Sequence, residues 1–186
     1  MDLKQNYFQL FSIPVAFDVD LSVINAAYRE LQRNLHPDRF ANSTANEKLL
    51  SMQVSSLVNE AKDVLQSPVR RAAYLLELQG HPVDFETNIA MAADFLMEQM
   101  ELREVLDELK YSSESVESLH GFTQRIDLQM DDLKVEFNSL YTRYLQKKEQ
   151  SEQSVLLESA EMAVRKMQFM NKLQIEANKI EEDLFD

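Results

Sequence analysis

Apolar residues recur along most of this chain at intervals of three and four, and strand-like alternation is nearly absent. That period predicts helices throughout. Tyr7-Phe8-Gln9-Leu10-Phe11 reads as a short first helix ending near Pro14. Asp20 is placed to cap the next, where Leu21, Ile24, Tyr28, Leu31 and Leu35 form one apolar stripe. Arg29, Arg33 and His36 recur at the same spacing on another face, so this helix has a basic side. Pro37 disfavours helical geometry in the residue before it, and the helix is expected to stop at or near His36. Ser43 or Thr44 can cap a third helix, whose stripe is Leu50, Val54, Leu57, Val58, Ala61 and Leu65. Ser67-Pro68 marks a stop and restart, and a short fourth helix is expected from Arg70 to Leu78, with Tyr74, Leu75 and Leu78 inward. Gly80 is a C-terminal stop.

The second half repeats the helical period on a larger scale. Helices are expected near 90–110, 115–149 and 152–184, with Gly121 and the serines at 112–118 weakening the first boundary and Ser151 marking the second. Three antiparallel helices form a bundle. The predicted class is therefore all-α: a helical hairpin with short flanking helices over residues 1–78, a linker over 79–88, and a three-helix bundle over 89–186. His81-Pro82-Val83-Asp84 belongs to the linker, since no basic helix leads into it.

Composition narrows the function. The 186 residues include two glycines, four prolines and no cysteine, so disulfides and thiolate-bound zinc or iron–sulfur clusters are excluded. The net charge of −13 is unevenly spread. Residues 1–80 carry 8 Lys+Arg against 9 Asp+Glu, whereas residues 81–186 carry 11 against 23. The acidic half is a poor candidate for nucleic acid or an anionic membrane, because phosphate contact needs basic clusters. No apolar run approaches bilayer-spanning length, and Met1-Asp2-Leu3-Lys4 does not open a signal peptide. A cytoplasmic protein with protein partners is expected.

Two segments carry candidate chemistry. Leu35-His36-Pro37-Asp38-Arg39 sits between two helices, with His36 and Asp38 as ionisable tips either side of a rigid proline corner. Short loops held by a scaffold tend to carry function. In the segment 95–109, Phe95, Leu102, Leu106 and Leu109 share one helical face, while Leu96, Met97, Met100 and Glu104 share the nearly opposite one, with Glu101 at its edge. A bundle helix needs one apolar face. A second, rimmed by Glu98, Glu101, Glu104, Asp107 and Glu108, is expected to remain exposed as a contact patch. Phe169 shares a face with Met162, Leu173 and Ile180, which favours core over contact.

Taken in order, Tyr7–Phe11, Tyr28-Arg29-Glu30-Leu31, His36-Pro37-Asp38, Val58-Asn59-Glu60-Ala61-Lys62-Asp63-Val64-Leu65 and Pro68–Tyr74 resemble a J-domain. No Gly/Phe-rich linker or cysteine-rich region follows. Instead Tyr74-Leu75-Leu76-Glu77-Leu78-Gln79-Gly80 runs into the acidic domain containing Phe95–Glu104. The chain is thus similar, over nearly its whole length, to the iron–sulfur-assembly J-protein family, HscB. The resemblance implies stimulation of ATP hydrolysis by an HscA-type, DnaK-like chaperone through His36, Pro37 and Asp38, with Arg29 and Arg33 in support. It implies binding of an IscU-type scaffold through Leu96, Met97, Met100, Glu101 and Glu104, with Phe169 a further candidate. Eukaryotic members carry extra N-terminal cysteines and a targeting segment. The lack of both fits a bacterial cytosolic member.

The chain is expected to be no enzyme and to need no cofactor. It has no Gly-rich phosphate loop. An acid–base role for His36 and Asp38 lacks a nucleophile or a dry pocket to act in. A purely structural adaptor and a J-protein for another client are the remaining alternatives.

Overall fold

The computed structural model describes residues 5–35, 44–86, 93–111 and 115–185. Among these residues there are helices and no strand. The chain divides into two compact units, residues 1–80 and 81–186.

In the first unit, α1 (Tyr7–Leu10), α2 (Leu21–Leu35), α3 (Ala45–Gln66) and α4 (Pro68–Glu77) follow in order. Each starts where the sequence offers a cap. The Asn6 side chain accepts from the Gln9 N–H at 2.9 Å. Asp20 accepts from the Ser22 N–H at 2.8 Å, and its hydrogen bonds to Ser22 hold its carboxyl below the usual range. Thr44, rather than Ser43, caps α3 in a reciprocal box with Glu47. Ser67 caps α4 with Pro68 already inside the first turn, so the fourth helix restarts at Pro68 and not at Arg70. Proline suits that position because its missing N–H has no helical partner there.

Helices α2 and α3 pack along Ile24, Val54, Val58, Ala61 and Leu65, all buried. Leu31, Leu35 and Leu57 are only half-buried, and Leu21 is exposed. Leu50, expected inward, is 50% exposed along with Leu49 and Met52. The reason is length: α3 has 22 residues against 15 in α2, and no described residue covers its first turns. Leu78 is also turned out, because α4 ends at Glu77; Leu76 is buried beside Leu75 instead. Gly80 closes the turn with φ +77, a backbone region that favours glycine, and its N–H bonds Glu77 O at 2.9 Å.

Polar groups decide how the elements of this unit are aligned. Asn59 Oδ1 accepts from Tyr28 Oη at 3.0 Å and from Gln32 Nε2 at 2.8 Å, while Gln66 Nε2 donates to Asn25 Oδ1 at 2.7 Å. These bonds line the edge of the α2–α3 seam. The Tyr7 and Tyr74 rings stack at 4.4 Å, and Tyr74 Oη accepts from the Tyr7 N–H at 3.0 Å. Burial, with the Glu60 carboxylate hydrogen-bonded to it, pushes the Tyr7 phenol up to about 12. Arg71 is 7% exposed and donates to the carbonyls of Phe17 and Leu65, joining α4 to the α1–α2 connection and to the end of α3. Burial lowers its pKa from the usual arginine value, against an opposing pull from Asp18.

In the second unit, α5 (Ala93–Tyr111) lies on the hairpin of α6 (Ser115–Gln146) and α7 (Gln150–Phe185). Leu119, Phe122, Ile126, Leu133 and Phe137 of α6 meet a face of α7 that includes Ala160, Ala163, Val164, Met167 and Met170, all buried. Small alanines allow close approach, and on α6 the buried Phe137 stacks on Tyr141 with ring centres 5.8 Å apart. At a rise of about 1.5 Å per residue, α5 spans roughly 28 Å while α6 and α7 span roughly 48 and 54 Å. The three-helix bundle is therefore complete only along part of the hairpin. Residues 81–86, expected as a link, are fastened to α7: His81 Nε2 lies 2.7 Å from Glu161, and Arg165 Nη2 donates to Asp84 O at 2.7 Å.

Two tests follow from the first unit. Arg71→Met keeps the unbranched apolar stem of the side chain but leaves two buried carbonyls without their donor, at an expected cost of about 2–4 kcal/mol. Urea unfolding followed by hydrogen exchange is expected to show residues 5–80 opening earlier and α6–α7 unchanged. Because the folded Tyr7 phenol ionises later than an unfolded one, stability from the neutral phenol is complete below pH 10.0 and is lost as pH rises through about 12. Tyr7→Phe is expected to remove that alkaline limb from the pH–stability curve.

Candidate interaction surfaces

The first surface is the outer face of α2. Arg29 and Arg33 are both exposed, each one residue beyond a member of the seam network, Tyr28 and Gln32. The hydrogen-bonded network thus fixes the rotation of α2, and with it the direction of the basic face. The Lys62 ammonium, 4.5 Å from the centre of the Tyr28 ring, adds a cation from α3 to the same edge. Helix α2 ends at Leu35, as the proline at the next position but one requires. His36, Pro37 and Asp38 lie outside the described residues.

The second surface is built on α5. Phe95, Leu102 and Leu106 are 6%, 0% and 3% exposed and face the hairpin. Leu96, Met97 and Met100 are 45%, 64% and 73% exposed and face away from it. Glu101, Glu104, Asp107 and Glu108 are exposed around them. Two sets of contacts hold α5 in this rotation. Towards α7, Phe95 meets the edge of Phe169 at 5.9 Å, Lys166 lies 5.4 Å from the Phe95 ring, and Arg103 lies over Phe169 at 5.7 Å and 3.7 Å from Glu176. Towards α6, Gln129 Nε2 donates to Glu98 at 2.6 Å. Phe169 is 8% exposed, so it is core. It supports the patch from beneath and does not project from it.

The sequence pattern located Leu96, Met97 and Met100 correctly as a second apolar face. It missed the supports: Arg103, Lys166 and Gln129 are polar residues whose partners lie on other helices, and helical period carries no signal for that. Tyr28, Gln32 and Asn59 were missed for the same reason. Among the described residues no group of three or more His, Asp or Glu is placed to hold a metal ion. No described helix is long and apolar enough to cross a membrane. What the two surfaces offer is recognition: cations on one unit, and a flexible apolar patch with an acidic rim on the other.

Comparison with known proteins agrees with this division. Residues 4–74 match the family model of the DnaJ domain, and residues 91–178 match the model described as the HSCB C-terminal oligomerisation domain. A J-domain followed by a helical unit of this kind is the architecture of a J-domain co-chaperone. The similarity extends along the chain: it is 39% identical over 181 residues to a co-chaperone protein HscB homolog of Shewanella baltica strain OS195, covering 97% of this chain and 99% of the relative. A homolog from Shewanella loihica is 37% identical over 180 residues. Among solved structures, the chaperone HscB from Vibrio cholerae aligns with a TM-score of 0.78 at 32% identity over 97% of this chain and 99% of its own. The human co-chaperone protein HscB aligns at 0.80 and 28% identity over 98% and 84%. The chain belongs to the HscB family of co-chaperones.

Core and patch residues of the second unit are expected to respond oppositely to truncation. Phe169→Ala opens a cavity under α5 and is expected to cost about 3–5 kcal/mol. The triple change Leu96→Ala, Met97→Ala, Met100→Ala removes exposed side chains and is expected to move stability by well under that. Thermal melting of the two variants beside the parent chain checks the difference.

Proposed function

We propose that this co-chaperone stimulates ATP hydrolysis by an HscA-type, DnaK-like chaperone and delivers an IscU-type scaffold protein to it during iron–sulfur cluster assembly or transfer. The observation that carries the reading is the patch of Leu96, Met97 and Met100, held outward on a helix whose other face is fully engaged. Membership of the HscB family supports it. The first unit, read as a J-domain over 1–78, docks on an acidic chaperone surface through His36, Pro37 and Asp38, steered by Arg29 and Arg33. Beyond a connection over 79–88, the bundle of 89–186 holds the scaffold through Leu96, Met97, Met100, Glu101 and Glu104, with Phe169 as their support.

The chain itself performs no bond chemistry in this scheme. It favours the chaperone conformation that hydrolyses ATP, and it raises the local concentration of client by holding both proteins on one chain. Methionines suit the patch because a thioether side chain adapts to its partner, while charge at the rim governs rate of encounter more than affinity. The cytoplasm is the proposed setting. A J-protein serving another client would stimulate the same kind of ATPase without binding the scaffold.

Measuring the chaperone ATPase with and without scaffold and this protein tests the reading. The patch triple variant is expected to bind scaffold at least tenfold more weakly, about 1.4 kcal/mol or more, while stimulating the chaperone alone as before. His36→Gln is expected to give the converse: folding and scaffold binding intact, stimulation lost. Reversing Arg29 and Arg33 to glutamate is expected to slow association with the chaperone at low salt, as raising salt does for the parent chain, since the screening length falls from about 10 Å at 0.1 M to about 3 Å at 1 M. Unchanged scaffold affinity in the triple variant would move the client to another surface.

A further inference from the structure

The outer face of α6 is left unexplained by either surface. Leu128 and Val135 are 68% and 70% exposed, on the side of α6 opposite Phe122, Ile126, Leu133 and Phe137. Seven residues before Leu128 stands Gly121, also exposed, within a 32-residue helix. A glycine in a helix interior weakens the helix, and this one is not required by the fold, since a Cβ there would meet nothing within 4 Å. Glycine, leucine and valine at a seven-residue interval make one stripe along a helix. Arg125 and Asp132 lie on the same flank of that stripe, both exposed.

We propose that this stripe is a self-association seam, on which α6 of a second copy of this chain lies antiparallel and centred on Leu128. Symmetry of this kind asks a surface to complement itself, and the residues do so at each step. Leu128 of one copy meets Leu128 of the other. Val135 of each comes level with Gly121 of the other, about 10 Å along the axis on either side of Leu128 at the usual rise per residue. A branched side chain then seats where a missing Cβ leaves room. Arg125 of each comes level with Asp132 of the other, giving two equivalent ion pairs. In antiparallel pairing, residues on the same flank of the two stripes face each other, so the charges are opposed as needed. The family model matched by this unit is described as an oligomerisation domain, and that description names no surface; the stripe supplies one.

The seam is short, so the pairing is weak: interfaces that hold at nanomolar concentration take roughly 20–30 residues a side. Sedimentation equilibrium of the full chain is expected to show the mean mass rising from one chain towards two between about 10 μM and 1 mM. Leu128→Glu is expected to keep the chain monomeric over that range. Gly121→Leu is expected to do the same while strengthening the helix, so a folding failure cannot imitate the result. Arg125→Asp alone is expected to abolish pairing, and Arg125→Asp with Asp132→Arg to restore it. Because the chain has no cysteine, Leu128→Cys under oxidising conditions is expected to give a disulfide-linked pair, and Val155→Cys, at similar exposure on α7, none above background. A wild-type chain that stays monomeric at 1 mM, or pairs unaffected by Leu128→Glu and by the charge swap, overturns the proposal.

Discussion

A helix laid against two others can bury only the part of its circumference that faces them. Helix α5 meets that limit with an apolar residue on nearly every side, and the second unit is arranged around the consequence. Phe95, Leu102 and Leu106 take the buried arc, which leaves Leu96, Met97 and Met100 in water. The rotation that achieves this needs fixing, because the two faces differ too little in hydrophobicity to choose between them. Edge-to-face packing of Phe95 on Phe169, with Arg103 and Lys166 over the rings, discriminates where apolarity alone does not. Gln129 bonded to Glu98 adds a polar register on the other side. Turned by half a circle, α5 would set methionines into the core and strand these charges.

The first unit uses the same logic with the balance reversed. Its α2–α3 seam is thinly apolar, with Leu31, Leu35 and Leu57 only half-buried. Polar bonds along its edge align it: Asn59 to both Tyr28 and Gln32, Gln66 to Asn25. Each such bond adds about 1 kcal/mol, less than a buried leucine, but each is directional in a way that apolar contact is not. A helix face whose rotation sets the direction of Arg29 and Arg33 gains more from direction than from depth. Arg71 extends the pattern into the interior, where its two carbonyl partners tie α4 to the α1–α2 connection and to the end of α3.

What could be read from the sequence separates along the same line. Helical period gave every helix and most of the buried stripe of α3, Val54, Val58, Ala61 and Leu65, because burial repeats with the turn of the helix. Caps at Asp20 and, as one of two candidates, Thr44 were legible because a single side chain and its own backbone decide them, whereas Ser67 was read only as a break and its capping of α4 was missed. Leu50 and Leu78 went the other way, since whether a stripe is covered depends on the length of the neighbouring helix, and the stripe itself does not record that. The apolar patch of α5 was legible as surplus hydrophobicity. Its supports, and the Tyr28–Gln32–Asn59 network, were not, because each joins residues far apart in the chain whose types are ordinary on any exposed helix. Phe169 shows the limit most clearly: its face of α7 favours core but leaves contact open until Phe95 is seen against it.

The distribution of charge bears on how such a molecule can hold partners at all. The half that carries the patch has 11 basic against 23 acidic residues, and the acids of α5 near the patch, Glu101, Glu104, Asp107 and Glu108, lie around an apolar centre and not across it. An acid at the centre would have to be desolvated on binding, at a cost its new partner seldom repays in full. At the rim it stays partly in water, accelerates approach of a basic partner and discourages an acidic one. The methionines and Leu96 at the centre can then act by packing alone. On the proposed reading, apolar residues where a partner would exclude water and charge where it would not suit α5 to fast encounter with adaptable contact, and the same separation explains why a helix with five acids in eleven residues can still carry an apolar patch.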